Sequence, residues 1–316
     1  MPNLDNAKPG FFARHAKAIV LIAVVFGAAS GSFTKMITAP SLAIGFYRLL
    51  FTLPFFAIPL FVKHRDELKT ITVKQILLCA LTGFFLFSHF FFWFMAAQTT
   101  AIASAVVLVA MHPIVVILVT VFIFKKKVSG KAVAGVAVAL AGSIIVAGFD
   151  YATAEHTFIG DVYALAAGIC MGLYFSMGSF MREKMSANAY IFFMFGFCWF
   201  WFAVGTLVTG TPLSGYPASD FFWILCMTIV CQIGSHAVFN WAMGHVSSVY
   251  VSAVSIGDII AASLIAFVLI GEIPVSHQII GGFIVFAGLL YYNKHESDGQ
   301  PTAIDDKKVA KLAEKE

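Results

Sequence analysis

Hydrophobic residues fall along this chain in ten runs of about 20 residues, the length that carries a helix across a hydrocarbon layer. The runs lie at roughly 18–37, 41–62, 75–96, 100–124, 131–149, 158–181, 188–210, 220–243, 247–270 and 275–293, and mostly short segments join them. This pattern predicts an all-α membrane protein with ten transmembrane helices. Pro54 and Pro59 interrupt helix 2 and Pro113 interrupts helix 4; Pro113 withholds a hydrogen bond from the carbonyl of Val109, beside His112. The first run follows Lys8, Arg14 and Lys17, as a signal-peptide core would. It continues for about 20 residues without a cleavage site and is expected to stay as helix 1.

Charge sharpens the reading of topology. With ten crossings, Lys8, Arg14 and Lys17, the loops carrying Lys63 to Lys74, Lys125 to Lys131 and Arg182 with Lys184, and the tail after Lys294 all fall on one side. The opposite loops, around Ala39, Thr99, Asp150 to Thr157, Thr211 to Ser219 and Glu272, contain neither lysine nor arginine. The positive-inside rule then puts both termini in the cytoplasm of a multi-pass cell-membrane protein.

The chain also repeats itself. GAASGSFTKM (Gly27 to Met36) matches GICMGLYFSM (Gly168 to Met177), SHFFFW from Ser88 matches SHAVFN from Ser235, and Gly135 with Gly142 match Gly281 with Gly288. Helices 1, 3 and 5 thus resemble helices 6, 8 and 10. Five helices per repeat is odd, so the second copy enters the membrane from the other face, giving two inverted five-helix repeats of the kind used for alternating access. The expected division is 1–17 as a cytoplasmic segment, 18–149 and 158–293 as the repeats, and 294–316 as a charged cytoplasmic tail. The glycine pairs Gly27/Gly31 and Gly168/Gly172 suit close helix packing.

Composition agrees: 60% of residues are hydrophobic and 11% charged, outside the range of soluble globular domains. The five cysteines all lie in apolar runs without CxxC spacing, so no disulfide or zinc site is expected. A net charge of +4 scattered over short loops reads as a topology signal, with no nucleic-acid partner implied.

Against this background one residue stands out. Asp258 lies near the middle of VYVSAVSIGDIIAASLIAFVLI (Val249 to Ile270), where a carboxylate costs roughly 2.5–3.5 kcal/mol on insertion scales. Tyr250, Val254 and Asp258 share a face, with Ser248, Ser252 and Ser255 close by, so helix 9 has one polar side that lines a route or a site.

Taken together, GAASGSFTKM, YRLLF around Arg48, the HPIVVILVTVFIFKKKVSGKAVAGVAVALAGSIIVAG run, GDVYALAAGICMGLY and DIIAASLIAFVLIGEIPVSHQIIGGFIVFAGLLYY resemble the drug/metabolite transporter superfamily and its ten-helix EamA-type carriers over about 18–293. The resemblance implies a substrate cavity between the halves, ringed by helices 1 to 4 and 6 to 9, with helices 5 and 10 to one side. Lys125 and Lys126 replace the Gly-Glu frequent at the end of helix 4 in that family, and Phe26 replaces a tryptophan of helix 1.

Several residues are candidates for the site. An offset of 146 sets His112 opposite Asp258, and both can exchange a proton, so they are candidates for coupling as well as for substrate charge. His89 and His236 are repeat equivalents that can hold a substrate carboxylate or hydroxyl, and Asn240 shares a face with His236. Trp93, Trp241, Tyr250 and Tyr174 can form an aromatic box for an organic cation or stack on an aromatic solute. Arg48, about 10 Å below the outer surface by helical rise, can attract an anion, pair with Asp258 near a gate, or snorkel to the interface. Each histidine, and Asp258 too, has a purely structural alternative in hydrogen bonds between helices. The leading expectation is a secondary active exporter of an amino-acid-like metabolite, working by alternating access and coupled to protons, without a cofactor, as a monomer or homodimer in the bilayer. An organic-cation transporter of the same fold is the alternative. From another class, His89, His112, His236 and Asp258 could ligate a metal in an intramembrane enzyme, although they come from four helices without HxxxH spacing. A passive channel would need a ring of like charges or a filter loop, and the sequence has neither.

Overall fold

The computed structural model describes residues 11–63, 65–100, 102–147, 158–270 and 276–295. The first ten residues, the loop from Asp150 to Thr157, Glu272 and the tail from Glu296 lie outside the described residues. Among the described residues the chain is helical. After one turn at Phe11–Arg14 come α1 (Ala16–Lys35), α2 (Ser41–Lys63) and α3 (Val73–Thr99). The fourth helix, α4, is built from Ile102–Val109, His112–Leu118 and a π-helical turn, Val119–Ile123, and α5 is Gly130–Ala147. Then follow α6 (Phe158–Arg182) and α7 (Ala187–Thr209). The eighth, α8, runs from Ala218 to Ala242 with a π-helical centre, Met227–Ala237; α9 is Ser248–Ser255 and Asp258–Ile270; α10 is Ser276–His295. Eight of these are long and apolar enough to cross a membrane, and α5 and α10 carry the shorter apolar stretches Gly130–Ile145 and Ile279–Tyr292. Outward-facing Leu207, Val208, Val268 and Phe283 are exposed apolar side chains suited to lipid.

Each predicted run becomes one helix, but two of them are interrupted. At Ala110–Met111 and at Ile256–Gly257 the ladder tightens to i→i−3 bonds, Met111 N to Leu108 O at 3.2 Å and Gly257 N to Val254 O at 3.0 Å. These bonds are equivalent under the repeat offset. The second half-helices then begin at His112 and Asp258. Pro113 sits just inside its half-helix, where its missing N–H leaves no bond unmade.

The two halves interlock about a pseudo-twofold axis. Helix α3 packs on α6 as α8 packs on α1, and α4 on α6 as α9 on α1, while α2 meets α7 and α5 meets α10. The last pair runs antiparallel: a Cβ on Gly142 would lie 2.8 Å from the Gly281 carbonyl, and one on Gly288 would lie 2.8 Å from the Gly135 carbonyl. Equivalent helices in opposite directions are what an inverted repeat requires. The Gly27 and Gly168/Gly172 stripes do not meet each other. Gly27 admits Ser235 of α8, and Gly168 and Gly172 admit the backbone of α4 on both sides of its break.

Both ends of the bundle are clasped at repeat-related places. On the lysine-rich face, the Glu67 carboxylate accepts from Ser186 N (3.0 Å) and Ser186 Oγ (2.6 Å), Gln75 Nε2 donates to Lys184 O, and Lys126 pairs with Glu183 at 2.9 Å. On the opposite face, Asp220 Oδ2 accepts from Thr38 N (3.1 Å), Thr38 Oγ1 (2.8 Å) and Ala39 N (2.9 Å), and Asp220 is buried. Asp220→Ala strands two loop amides and is expected to lower unfolding stability in detergent by about 2 kcal/mol, read as a drop in midpoint. Glu67→Ala, at a half-buried clasp, should cost less.

Candidate functional site

Where the breaks of α4 and α9 meet, the helices enclose a cavity of about 70 Å³, room for roughly two waters. It is walled by α1 (Val24, Gly27, Ser30), α3 (His89, Phe90, Trp93), α4 (Val106, Val109, His112), α6 (Met171), α8 (Ser235, His236, Phe239) and α9 (Ser255, Asp258). A smaller hollow of about 30 Å³ adjoins it and shares Gly27, Trp93, Val106 and Asp258. A helix break is the natural device for such a site, because it turns a half-helix end and its first side chain inward at mid-membrane.

Asp258 is the one acidic side chain lining either hollow, and its Oδ1 has no hydrogen-bond partner among the described residues. At the equivalent position, His112 Nε2 lies 3.2 Å from Ser255 Oγ. The single hydroxyl hydrogen of Ser255 is committed to Ser252 O at 2.9 Å, so Ser255 accepts and His112 Nε2 donates. That choice of tautomer leaves Nδ1 as a buried, unpartnered proton acceptor. The first turn of one half-helix and the last turn of another are thereby joined across the repeats.

His89 and His236 face each other near the twofold axis with ring centroids 6.1 Å apart. His89 Nδ1 donates to the Ala167 carbonyl at 3.0 Å, since a carbonyl can only accept, and Phe90 packs edge-on against His236 at 4.8 Å. The π-helical centre of α8 carries Gln232, Ser235 and His236, all buried; its extra residue per turn is what lets these near neighbours turn inward together.

The cavity thus collects Asp258, His89, His112, His236 and Trp93. Five other candidates lie outside its lining. Tyr174 and Asn240 are fully buried and bonded to one another, and Asn240 also donates to the His236 carbonyl at 2.7 Å, so both support the wall from behind. Trp241 faces a separate apolar groove with Phe12, Ile19 and Phe56. Tyr250 is directed to the start of α1, its hydroxyl donating to Lys17 O at 3.3 Å under the Lys17 ammonium. Arg48 neither snorkels nor pairs with Asp258: it is wholly buried, its Nε donating to Gln232 Oε1 at 2.7 Å. Ser255, expected on the polar side of helix 9, lines the cavity, whereas Gln232, Ser30 and Phe90 were not singled out by sequence reasoning. An amide one turn before His236 in an apolar run was the available signal.

Among the described residues no group of histidine, cysteine, aspartate or glutamate is arranged to hold a metal ion.

A crystal structure aligns with 88% of this chain and 98% of its own at a TM-score of 0.65 and 17% identity, a likeness that shows the fold alone. A protein of Clostridium kluyveri described as an uncharacterized transporter is 26% identical over 208 residues, which are 62% of this chain and 63% of that relative. The chain therefore matches somewhat less than two thirds of the relative's length. The family model for EamA-like transporters matches twice, over residues 16–148 and again over 158–293, so the cavity lies between two copies of one unit. With both halves matched, the chain belongs to the EamA-like transporter family, and its long apolar helices fit a multi-pass membrane protein.

Proposed function

We propose that this protein is a secondary active transporter that exports a small amino-acid-like metabolite by alternating access, with Asp258 and His112 as its proton-coupling pair. The observation that carries the reading is the cavity at the two equivalent helix breaks, lined by a carboxylate and a histidine with unpartnered polar atoms, in a bundle clasped at each end. Repeats 18–149 and 158–293 would rock about the shared axis, breaking one clasp while keeping the other. At about 70 Å³ the cavity is smaller than an amino acid, so loading requires one clasp to open. In that cycle Asp258 binds a solute ammonium or a proton, but not both, and exclusive occupancy of this sort is the simplest basis for exchange. His89 and His236 offer polar ring edges to the rest of the solute, and Trp93 supplies an apolar wall. The lysine distribution supports termini in the cytoplasm and a place in the cell membrane.

A second reading, transport of an organic cation, is favoured by one feature: Asp258 lies in a wall that also holds Phe90 and Trp93, whose faces attract cations. Reconstituted vesicles test both readings. Counterflow of labelled amino acids, accelerated by an imposed pH gradient, is the expected result. Counterflow restricted to choline-like cations would select the second reading, and equal flux with and without the gradient would remove the proton.

A further inference from the structure

Arg48 and Gln232 form a buried polar pair outside the cavity lining. Both have no accessible surface. The Arg48 Nε–H can only donate, which fixes the Gln232 amide with its oxygen toward Arg48 and its nitrogen away. Arg48 Nη1, Arg48 Nη2 and Gln232 Nε2 are then three buried donors in one cluster with no acceptor among the described residues. The guanidinium instead lies over the Phe90 ring at 4.4 Å and the Phe94 ring at 6.0 Å. Aromatic faces recover only part of what burying a cation costs, and an apolar side chain would fill the space more cheaply. A charge kept inside the membrane with no counter-ion among the described residues calls for a functional account.

We propose that Arg48 and Gln232 are an anion subsite that receives the carboxylate of the transported solute. The fork of Nη1 and Nη2 matches a carboxylate edge, and Gln232 Nε2 adds a third donor. Phe90 connects this subsite to the cavity, because its ring lines the cavity and also carries the guanidinium. A carboxylate reaches the fork by displacing that ring, exchanging a cation–π contact for an ion pair. With Asp258 taking the ammonium, the site holds one charge of each sign and reads a zwitterion; a cation without a carboxylate satisfies only half of it. This inference rests on the amino-acid-like reading above and deepens it.

The test titrates the purified full chain with alanine, threonine, leucine and phenylalanine, each beside its amide and its decarboxylated amine. In the wild type the best-bound acid is expected to bind at least about tenfold more tightly than its amide and amine. In Arg48→Gln the three should bind alike, and in Arg48→Lys, which keeps the charge but loses the fork, the preference should be intermediate. Equal wild-type binding of acid and amine overturns the subsite while leaving a cation transporter standing, and so does an acid preference that survives in Arg48→Gln. If none of the twelve compounds binds the wild type, the amino-acid-like reading falls and the subsite with it. Should Arg48→Gln fail to fold, Gln232→Met, which spares the guanidinium, is read instead: a reduced acid preference supports the subsite and an unchanged one overturns it.

Discussion

Asp258→Asn is expected to reduce proton-driven transport in reconstituted vesicles by about a hundredfold and to make the residual flux insensitive to an imposed pH gradient. The substitution keeps shape and volume and removes only the ability to carry charge. A charge-assisted hydrogen bond to a solute ammonium is worth up to about 3 kcal/mol, which corresponds to about two orders of magnitude in binding. Stability should move the other way. Asp258 Oδ1 has no partner among the described residues, so neutralising the group removes a desolvation penalty instead of breaking a bond, and the unfolding midpoint should hold or rise. Loss of transport with unchanged or increased stability marks a functional carboxylate; loss of both would mark a structural one. His112→Gln should slow transport less, because Nε2 is tied to Ser255 and an amide can keep that bond while losing only the Nδ1 acceptor. Retained gradient-driven flux in Asp258→Asn would take proton coupling away from this residue.

The parts of the molecule that were legible in the chain are those where the bilayer makes a residue expensive. Asp258, His89, His112 and His236 stand out because titratable side chains rarely survive in apolar runs, and all four line the cavity. Helix number and inversion were legible for a similar reason: only an even count of crossings puts every loop lysine on one side, and only an odd count per repeat turns the second copy over. Aromatic residues carry no such signal. Trp93 lines the cavity while Trp241 faces an outer groove, and Tyr174 and Tyr250 point elsewhere, because an aromatic side chain is equally at home in core, wall or lipid. The helix breaks were hidden too, since the flanking Val, Leu and Ile keep hydropathy continuous across Met111 and Gly257. Their only trace is local, a proline just after His112 and a glycine just before Asp258. The Arg48–Gln232 contact joins residues 184 positions apart, and neither neutral Gln232 nor the aromatic cover over the guanidinium is visible to a pattern of hydropathy.

Two glycines on α10 should respond in opposite directions to the same substitution. Gly288→Ala places a Cβ 2.5 Å from Ala139 N and 2.8 Å from Gly135 O, backbone atoms that cannot turn aside as a side-chain tip can. Helices α5 and α10 would have to separate along their antiparallel crossing, losing close backbone packing, the main attraction between helices in lipid. Overpacking of this kind costs about 3 kcal/mol, more than the roughly 1 kcal/mol that alanine gains over glycine in a helix. Gly282→Ala meets nothing nearer than Ile260 Cγ1 at 3.7 Å, so the helix preference is left unopposed and the midpoint should rise slightly. Gly142→Ala, on the other side of the crossing with a Cβ 2.6 Å from Val285 N, should behave like Gly288→Ala. Unfolding midpoints of the three variants decide the matter. A gain at Gly288 or Gly142 equal to that at Gly282 would mean that α5 and α10 do not touch at these residues, and would remove the contact that most directly sets the two repeats in opposite directions.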